Sequence, residues 1–130
     1  GTANPFSPKA LRASAGAALR LPVLRGAAMP IFLAQLRVAG VRVYAASPDA
    51  PDAIAPWDAD WRAPSALLIG NEGAGLPPDL IRSADVTVRI PQSPTEAAAG
   101  MDSLNAAVAG SILLYEAARQ RRPGATVGKA

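Results

Sequence analysis

Ala66-Leu67-Leu68-Ile69-Gly70-Asn71-Glu72-Gly73-Ala74-Gly75-Leu76 runs from an apolar tetrapeptide straight into a glycine-rich loop that carries one carboxylate. Residues 66–69 are long enough for a β-strand and carry no polar alternation, so they read as a strand buried on both faces of a parallel sheet. The glycine order that follows, Gly70-x-x-Gly73-x-Gly75, is not a phosphate-binding P-loop, because the spacing differs and no lysine follows. Nor is it the Gly-x-Gly-x-x-Gly of dinucleotide-binding folds. The segment is also readable as a plain strand-to-helix turn whose glycines need positive φ.

Working outward, strands and helices alternate. Ser7 is placed to N-cap a helix that Pro8 opens and that runs through Lys9–Ala18. Leu21–Leu24 is a short apolar run that reads as a strand entry. Met29–Ala39 has helical spacing and ends at Gly40, and Val41, Val43 and Tyr44 around Arg42 read as a strand. Residues 47–64 are rich in Pro and Asp and read as a surface loop, with Trp57 and Trp61 pinning it to the core. Pro77 and Pro78 open a short helix ending near Ser83. Val86–Ile90 reads as a strand stopped by Pro91, residues 91–102 as a loop, and a last helix capped by Asp102 or Ser103 reaches about Arg121. This pattern predicts an α/β fold with a mostly parallel sheet flanked by helices. Ligands of such sheets sit at the carboxyl ends of strands, where the loops after Ile69 and Ile90 both fall.

A glutamate inside the Gly70–Gly75 loop repels phosphate, so bare backbone plus one carboxylate suits a neutral or cationic ligand. S-adenosylmethionine, with its sulfonium and ammonium groups, is one such ligand. The second loop leads from Ile90-Pro91-Gln92 to Ser103-Leu104-Asn105 and the small-residue run Ala106–Leu114. That run predicts close helix packing in a core or at a dimer seam. A buried Asn105 there needs a hydrogen-bond partner on backbone or ligand.

Composition narrows the chemistry. The 130 residues contain no cysteine and no histidine, which excludes disulfide frameworks, Cys/His zinc sites, thiol nucleophiles and Ser-His-Asp triads. No metal site is expected. Only six residues are aromatic, while 30 are Ala, so the core is built from small and aliphatic groups. An enzyme of this composition relies on positioning, electrostatics and a cofactor's own reactivity.

Charge is unevenly spread. Residues 1–48 hold Lys9, Arg12, Arg20, Arg25, Arg37 and Arg42 and no acid, residues 49–118 hold all ten acids, and residues 119–130 are basic again. Basic ends around an acidic middle point to a polyanion such as nucleic acid, or to arginines spread over solvated faces. Pro5, Pro8, Pro22 and Pro30 argue against an amphipathic transit helix at the start. The longest notable uncharged stretch, Ser103–Tyr115, has thirteen residues, short of a membrane span.

Three segments together carry a family resemblance. Asn4-Pro5-Phe6-Ser7-Pro8-Lys9-Ala10-Leu11-Arg12-Ala13-Ser14-Ala15-Gly16, then Leu67–Leu76, then Ile90-Pro91 with Ser103-Leu104-Asn105-Ala106-Ala107-Val108-Ala109, stand in one order and register over nearly the whole chain. In these the sequence resembles the SpoU (TrmH-like) RNA 2′-O-ribose methyltransferases of the SPOUT class. The resemblance implies an α/β domain whose C-terminal part forms a trefoil knot, a fold that the usual connection rules do not anticipate. It implies S-adenosylmethionine held by Gly70, Asn71 and Gly73, by Ile90 and Pro91, and by Leu104. It implies a catalytic pocket shaped by Asn105 and Glu72 with Ser103 beside them, in a cytoplasmic homodimer acting on rRNA or tRNA. Lys9, Arg12 and Arg20 are the candidates for RNA phosphates. The family's earlier Asn-x-Gly and Arg motif and its recognition extension lie upstream of the point matching Gly1. Residues 1–130 are thus expected to be a SpoU-type domain incomplete at its N-terminus, without the first strand and helix. A non-catalytic dimerising or RNA-binding fragment is the alternative that this departure favours. The glycine order counts against an ordinary nucleotide-binding oxidoreductase.

Overall fold

The computed structural model describes residues 4–71, 73–92 and 104–123. The chain divides into two compact units, Gly1–Phe32 and Leu33–Ala130. Most of the β3–α4 connection, residues 93–103 with Ser103, and Glu72 lie outside the described residues.

In the first unit, α1 (Pro8–Ala13) begins as expected, with Ser7 Oγ accepting from the Ala10 N–H and Pro8 at the first position. It stops five residues short of Ala18. Gly16 N–H donates to Leu11 O at 3.3 Å and Ala15 N–H to Arg12 O at 3.2 Å. These are the paired bonds of a Schellman stop, which places Ala15 at φ 48°. A short 3₁₀ turn, Ala17–Leu19, follows. Leu21–Leu24 is not a strand: it pairs with no neighbour, Leu21 and Leu24 are exposed, and Pro22 lacks the donor a ladder needs. Helix α2 (Met29–Val38) begins in the first unit and continues in the second, where it ends at Gly40, whose φ of 71° lets the Val41 N–H reach Leu36 O at 2.9 Å.

The second unit is built on a parallel sheet of order β2-β1-β3, with β1 at Arg42–Ala46, β2 at Ser65–Leu68 and β3 at Val86–Val88. The strand buried on both faces is β1, where Val43, Tyr44 and Ala45 are each 0% exposed. Residues 66–69, read as that strand from sequence, form most of β2, an edge strand that is only half-buried. The difference arises from strand order, which an apolar tetrapeptide does not encode. β3 is shorter than Val86–Ile90: its pairing with β1 ends at Ala46 and Val88, and Val88 also bridges Ile54.

Helices α3 (Pro78–Arg82) and α4 (Ala106–Gln120) complete the unit. The core gathers Tyr44, Trp61, Val88, Leu113 and Ala117. Trp61 stacks on Tyr44 with ring centroids 4.1 Å apart and donates from Nε1 to Pro56 O at 2.8 Å. It therefore pins the 47–64 loop alone, since Trp57 is exposed. The C-terminal end of α4 clamps the same loop. Buried Gln120 accepts from Trp61 N–H at 3.2 Å and donates to Ala59 O at 3.0 Å, and Arg121 Nε donates to Trp61 O at 2.7 Å. Glu116 lies one turn before Gln120 on α4. Bonds from Arg119 hold its carboxyl below the ordinary glutamate range, partial burial opposes that shift, and a bond from Gln120 assists it.

Candidate functional site

The loops after β1 and β2 converge on the start of α4 and enclose a cleft of about 300 Å³. It is lined by Ala46 at the end of β1, Ile69 just beyond β2, the described residues of the Gly70–Gly75 loop, and Leu104, Ala106 and Ala109 at the start of α4. Gly110 explains how α4 comes so close: it is buried, and a Cβ there would stand 2.8 Å from Ile69 Cδ1.

The glycine loop is braced from within. Asn71 Oδ1 accepts from Gly73 N–H at 3.0 Å and from Ala74 N–H at 2.7 Å, and Asn71 O accepts from Gly75 N–H at 3.0 Å. The loop thereby doubles back on its own start, and a Cβ on residue 70 would lie 2.1 Å from the Gly75 carbonyl carbon. Among the loop's glycines only Gly75 has positive φ, 64°. The expectation of a positive-φ turn thus holds at the third glycine, whereas the first is required by contact. Residue type and spacing do not separate these two demands.

Gly70, Asn71, Gly73 and Leu104 are brought together around the cleft. Ile90 faces an adjoining cavity of about 60 Å³ that shares Ala46, Pro48, Leu104 and Ala109 with it. Pro91 is exposed and lines neither space. Asn105 is not buried as expected from its helix. It is exposed and is itself the N-cap of α4, its Oδ1 accepting from Ala107 N–H at 2.9 Å and Val108 N–H at 3.3 Å. The cap expected at Asp102 or Ser103 is therefore displaced to Asn105. The remainder of α4 is one-sided, with Gly110, Leu113, Ala117 and Gln120 buried while Val108, Ile112, Leu114 and Tyr115 are exposed. Lys9, Arg12 and Arg20 belong to the first unit and are exposed there.

The sequence reading missed Pro48 and Asp49, which line the cleft from the loop after β1. The carboxyl-end rule applied to a third strand would have found them. Among the described residues, Asp49 is the only charged side chain on the lining. No group of three or more potential metal-ligating side chains occurs among the described residues, and no described helix is long and apolar enough to cross a membrane.

Comparison with known proteins gives this geometry a family. A sequence model of the SpoU rRNA Methylase family matches residues 1–115. An uncharacterized tRNA/rRNA methyltransferase of Synechocystis is 35% identical over 125 residues, covering 96% of this chain and 43% of the relative. The 23S rRNA (uridine(2479)-2′-O)-methyltransferase of Streptomyces viridochromogenes is 38% identical, covering 95% of this chain and 42% of that enzyme. The crystal structure of an AdoMet-bound rRNA methyltransferase from Sinorhizobium meliloti superposes with a TM-score of 0.79 at 36% identity, over 95% of this chain and 44% of that one. The chain belongs to the SpoU rRNA methylase family. It spans less than half the length of these relatives.

Proposed function

We propose that this chain forms the cofactor-binding part of an S-adenosylmethionine-dependent RNA 2′-O-ribose methyltransferase whose substrate is rRNA or tRNA. The observation that carries the proposal is the cleft at the carboxyl ends of β1 and β2, roofed by the folded-back Gly70–Gly75 loop. Its volume falls at the lower end of the range for small-ligand sites, roughly 300–1,000 Å³. Its described lining is apolar and small apart from Asn71 and Asp49 and has no cation for a phosphate, which fits an adenosyl group carrying positive charge. Two structures among the relatives, from Sinorhizobium meliloti and Streptomyces viridochromogenes, contain AdoMet.

Bound S-adenosylmethionine supplies an already activated methyl group, so the protein's task is alignment and exclusion of water. In this reading Gly70, Asn71 and Gly73 present backbone to the ligand, Leu104 borders it from the start of α4, and Ile90 borders the adjoining cavity, while Pro91, which lines neither space, ends the β3 segment that carries Ile90. Asn105, Glu72 and Ser103 shape the pocket that receives the ribose 2′-hydroxyl. Asn105 also fixes the first turn of α4, so ribose alignment and helix start are set by one residue. The exposed basic side chains Lys9, Arg12 and Arg20 hold RNA phosphates. We further propose a trefoil-knotted C-terminal part and a cytoplasmic homodimer. The exposed apolar side chains Val108, Ile112 and Tyr115 on α4 support the dimer.

Calorimetric titration of the intact protein with S-adenosylmethionine, followed by methyl transfer to rRNA and tRNA transcripts, tests the proposal. Saturable binding with 2′-O-methylation of one RNA class is expected. Absence of binding refutes it, and binding without transfer favours a non-catalytic RNA-binding module.

A further inference from the structure

We propose that Asp49 distinguishes the cationic methyl donor from its demethylated product, favouring S-adenosylmethionine over S-adenosylhomocysteine in the cleft; this rests on the methyltransferase reading above. β1 ends at Ala46, and the chain turns through Ser47-Pro48-Asp49 along the cleft wall. The turn is anchored on both sides of Asp49. Ser47 is buried and its N–H donates to Val88 O at 3.0 Å, while Ala50 is buried and its carbonyl accepts from the Ala53 N–H at 3.2 Å. An exposed carboxylate is therefore carried on fixed backbone, beside the cavity rather than on a free loop.

The other described features of the cleft do not favour a cation. The start of α4 forms one wall, and a helix N-terminus presents about half a positive charge. Asn71 Oδ1, one of the polar groups of the loop, is engaged by the Gly73 and Ala74 N–H groups. The charge complementary to a sulfonium thus comes, among the described lining residues, from Asp49. Distance does not defeat it: a space of about 300 Å³ is about 7 Å on a side, within the ~8 Å screening length of physiological salt. The two ligands share the adenosyl and amino-acid groups and differ by one methyl and one positive charge at sulfur. A carboxylate that acts on ligand charge separates them; one that binds a shared hydroxyl or ammonium does not.

The test is calorimetric titration of both ligands into the intact wild-type protein, Asp49→Asn and Asp49→Glu, at low and physiological salt. Asp49→Asn is expected to weaken S-adenosylmethionine about two- to fivefold, as for one partly solvated ion pair, with little change for S-adenosylhomocysteine. Asp49→Glu is expected to retain the preference, and added salt to narrow it in wild type and Asp49→Glu but not in Asp49→Asn. Equal weakening of both ligands by Asp49→Asn, or no change in either, overturns the assignment while leaving the methyltransferase reading intact. Wild type that binds neither ligand overturns that reading and the assignment together.

Discussion

Gly70 lies against the carbonyl carbon of Gly75, so close that a Cβ on residue 70 would stand 2.1 Å from it. Residue 73, two positions before Gly75 in the same loop, has only Asn71 Oδ1 at 3.5 Å from such a Cβ. Gly70→Ala is expected to cost about 1–3 kcal/mol as an overpacked site and to abolish S-adenosylmethionine binding, because the loop has to open. Gly73→Ala is expected to leave stability within about 0.5 kcal/mol. Thermal unfolding of the two variants compares them, and equal destabilisation would refute the distinction.

Asn105 serves the helix start and, in the proposed reading, the ribose. Asn105→Ala is expected to lose about 1 kcal/mol of stability with the cap and most of the methyl transfer. Asn105→Asp keeps an acceptor for the Ala107 and Val108 N–H groups and is expected to retain stability while still losing transfer. A fully active Asn105→Asp would reduce the residue to its capping role. Urea unfolding and single-turnover transfer separate these outcomes.

Gln120 satisfies Trp61 N–H and Ala59 O inside the core, while Trp61 stacks on the central-strand Tyr44. Gln120→Leu leaves both backbone groups buried without that partner, at an expected cost of about 2–4 kcal/mol. A midpoint within error of wild type would show that the 56–63 loop is held without it.

Glu116 titrates below the ordinary glutamate range because Arg119 hydrogen-bonds its ionised form. The unfolded chain therefore binds this proton at higher pH than the folded chain does. The stabilisation is present above the unfolded value and disappears as pH falls through the folded one. Glu116→Gln is expected to lose up to about 1 kcal/mol at pH 7, given the partial exposure of Arg119. Chemical denaturation at neutral and acidic pH should show the gap between wild type and variant closing toward low pH; a gap that widens would be the wrong sign.

Neutralising Lys9, Arg12 and Arg20 together is expected to weaken RNA binding and to reduce the slope of log K against log salt by up to about 2–3. An unaltered slope would assign these residues to solvated faces.

Local chemistry made several elements legible. Ser7-Pro8 specifies how α1 starts, Gly40 where α2 ends, and Pro77-Pro78 where α3 begins, because caps and stops depend on a few neighbouring residues. The three registered segments, Asn4–Gly16, Leu67–Leu76 and Ile90-Pro91 with Ser103–Ala109, also identified the family, since together they form a specific pattern. Two features were not legible. Which apolar run becomes the central strand depends on strand order, and that placed Val43–Ala45 inside and Ala66–Leu68 at an edge. The early stop at Ala15 places a non-glycine residue at positive φ, against its own preference.

The sequence by itself determined the class of fold, the family and the glycine loop, because these rest on short-range patterns and on residue types that are present or absent. Only the tertiary structure decided that Gly70 is demanded by contact with Gly75 and that Pro48 and Asp49 border the cleft. Each of those depends on distances between segments that are separate in the chain or folded back on themselves, and spacing along one strand or helix carries no record of them.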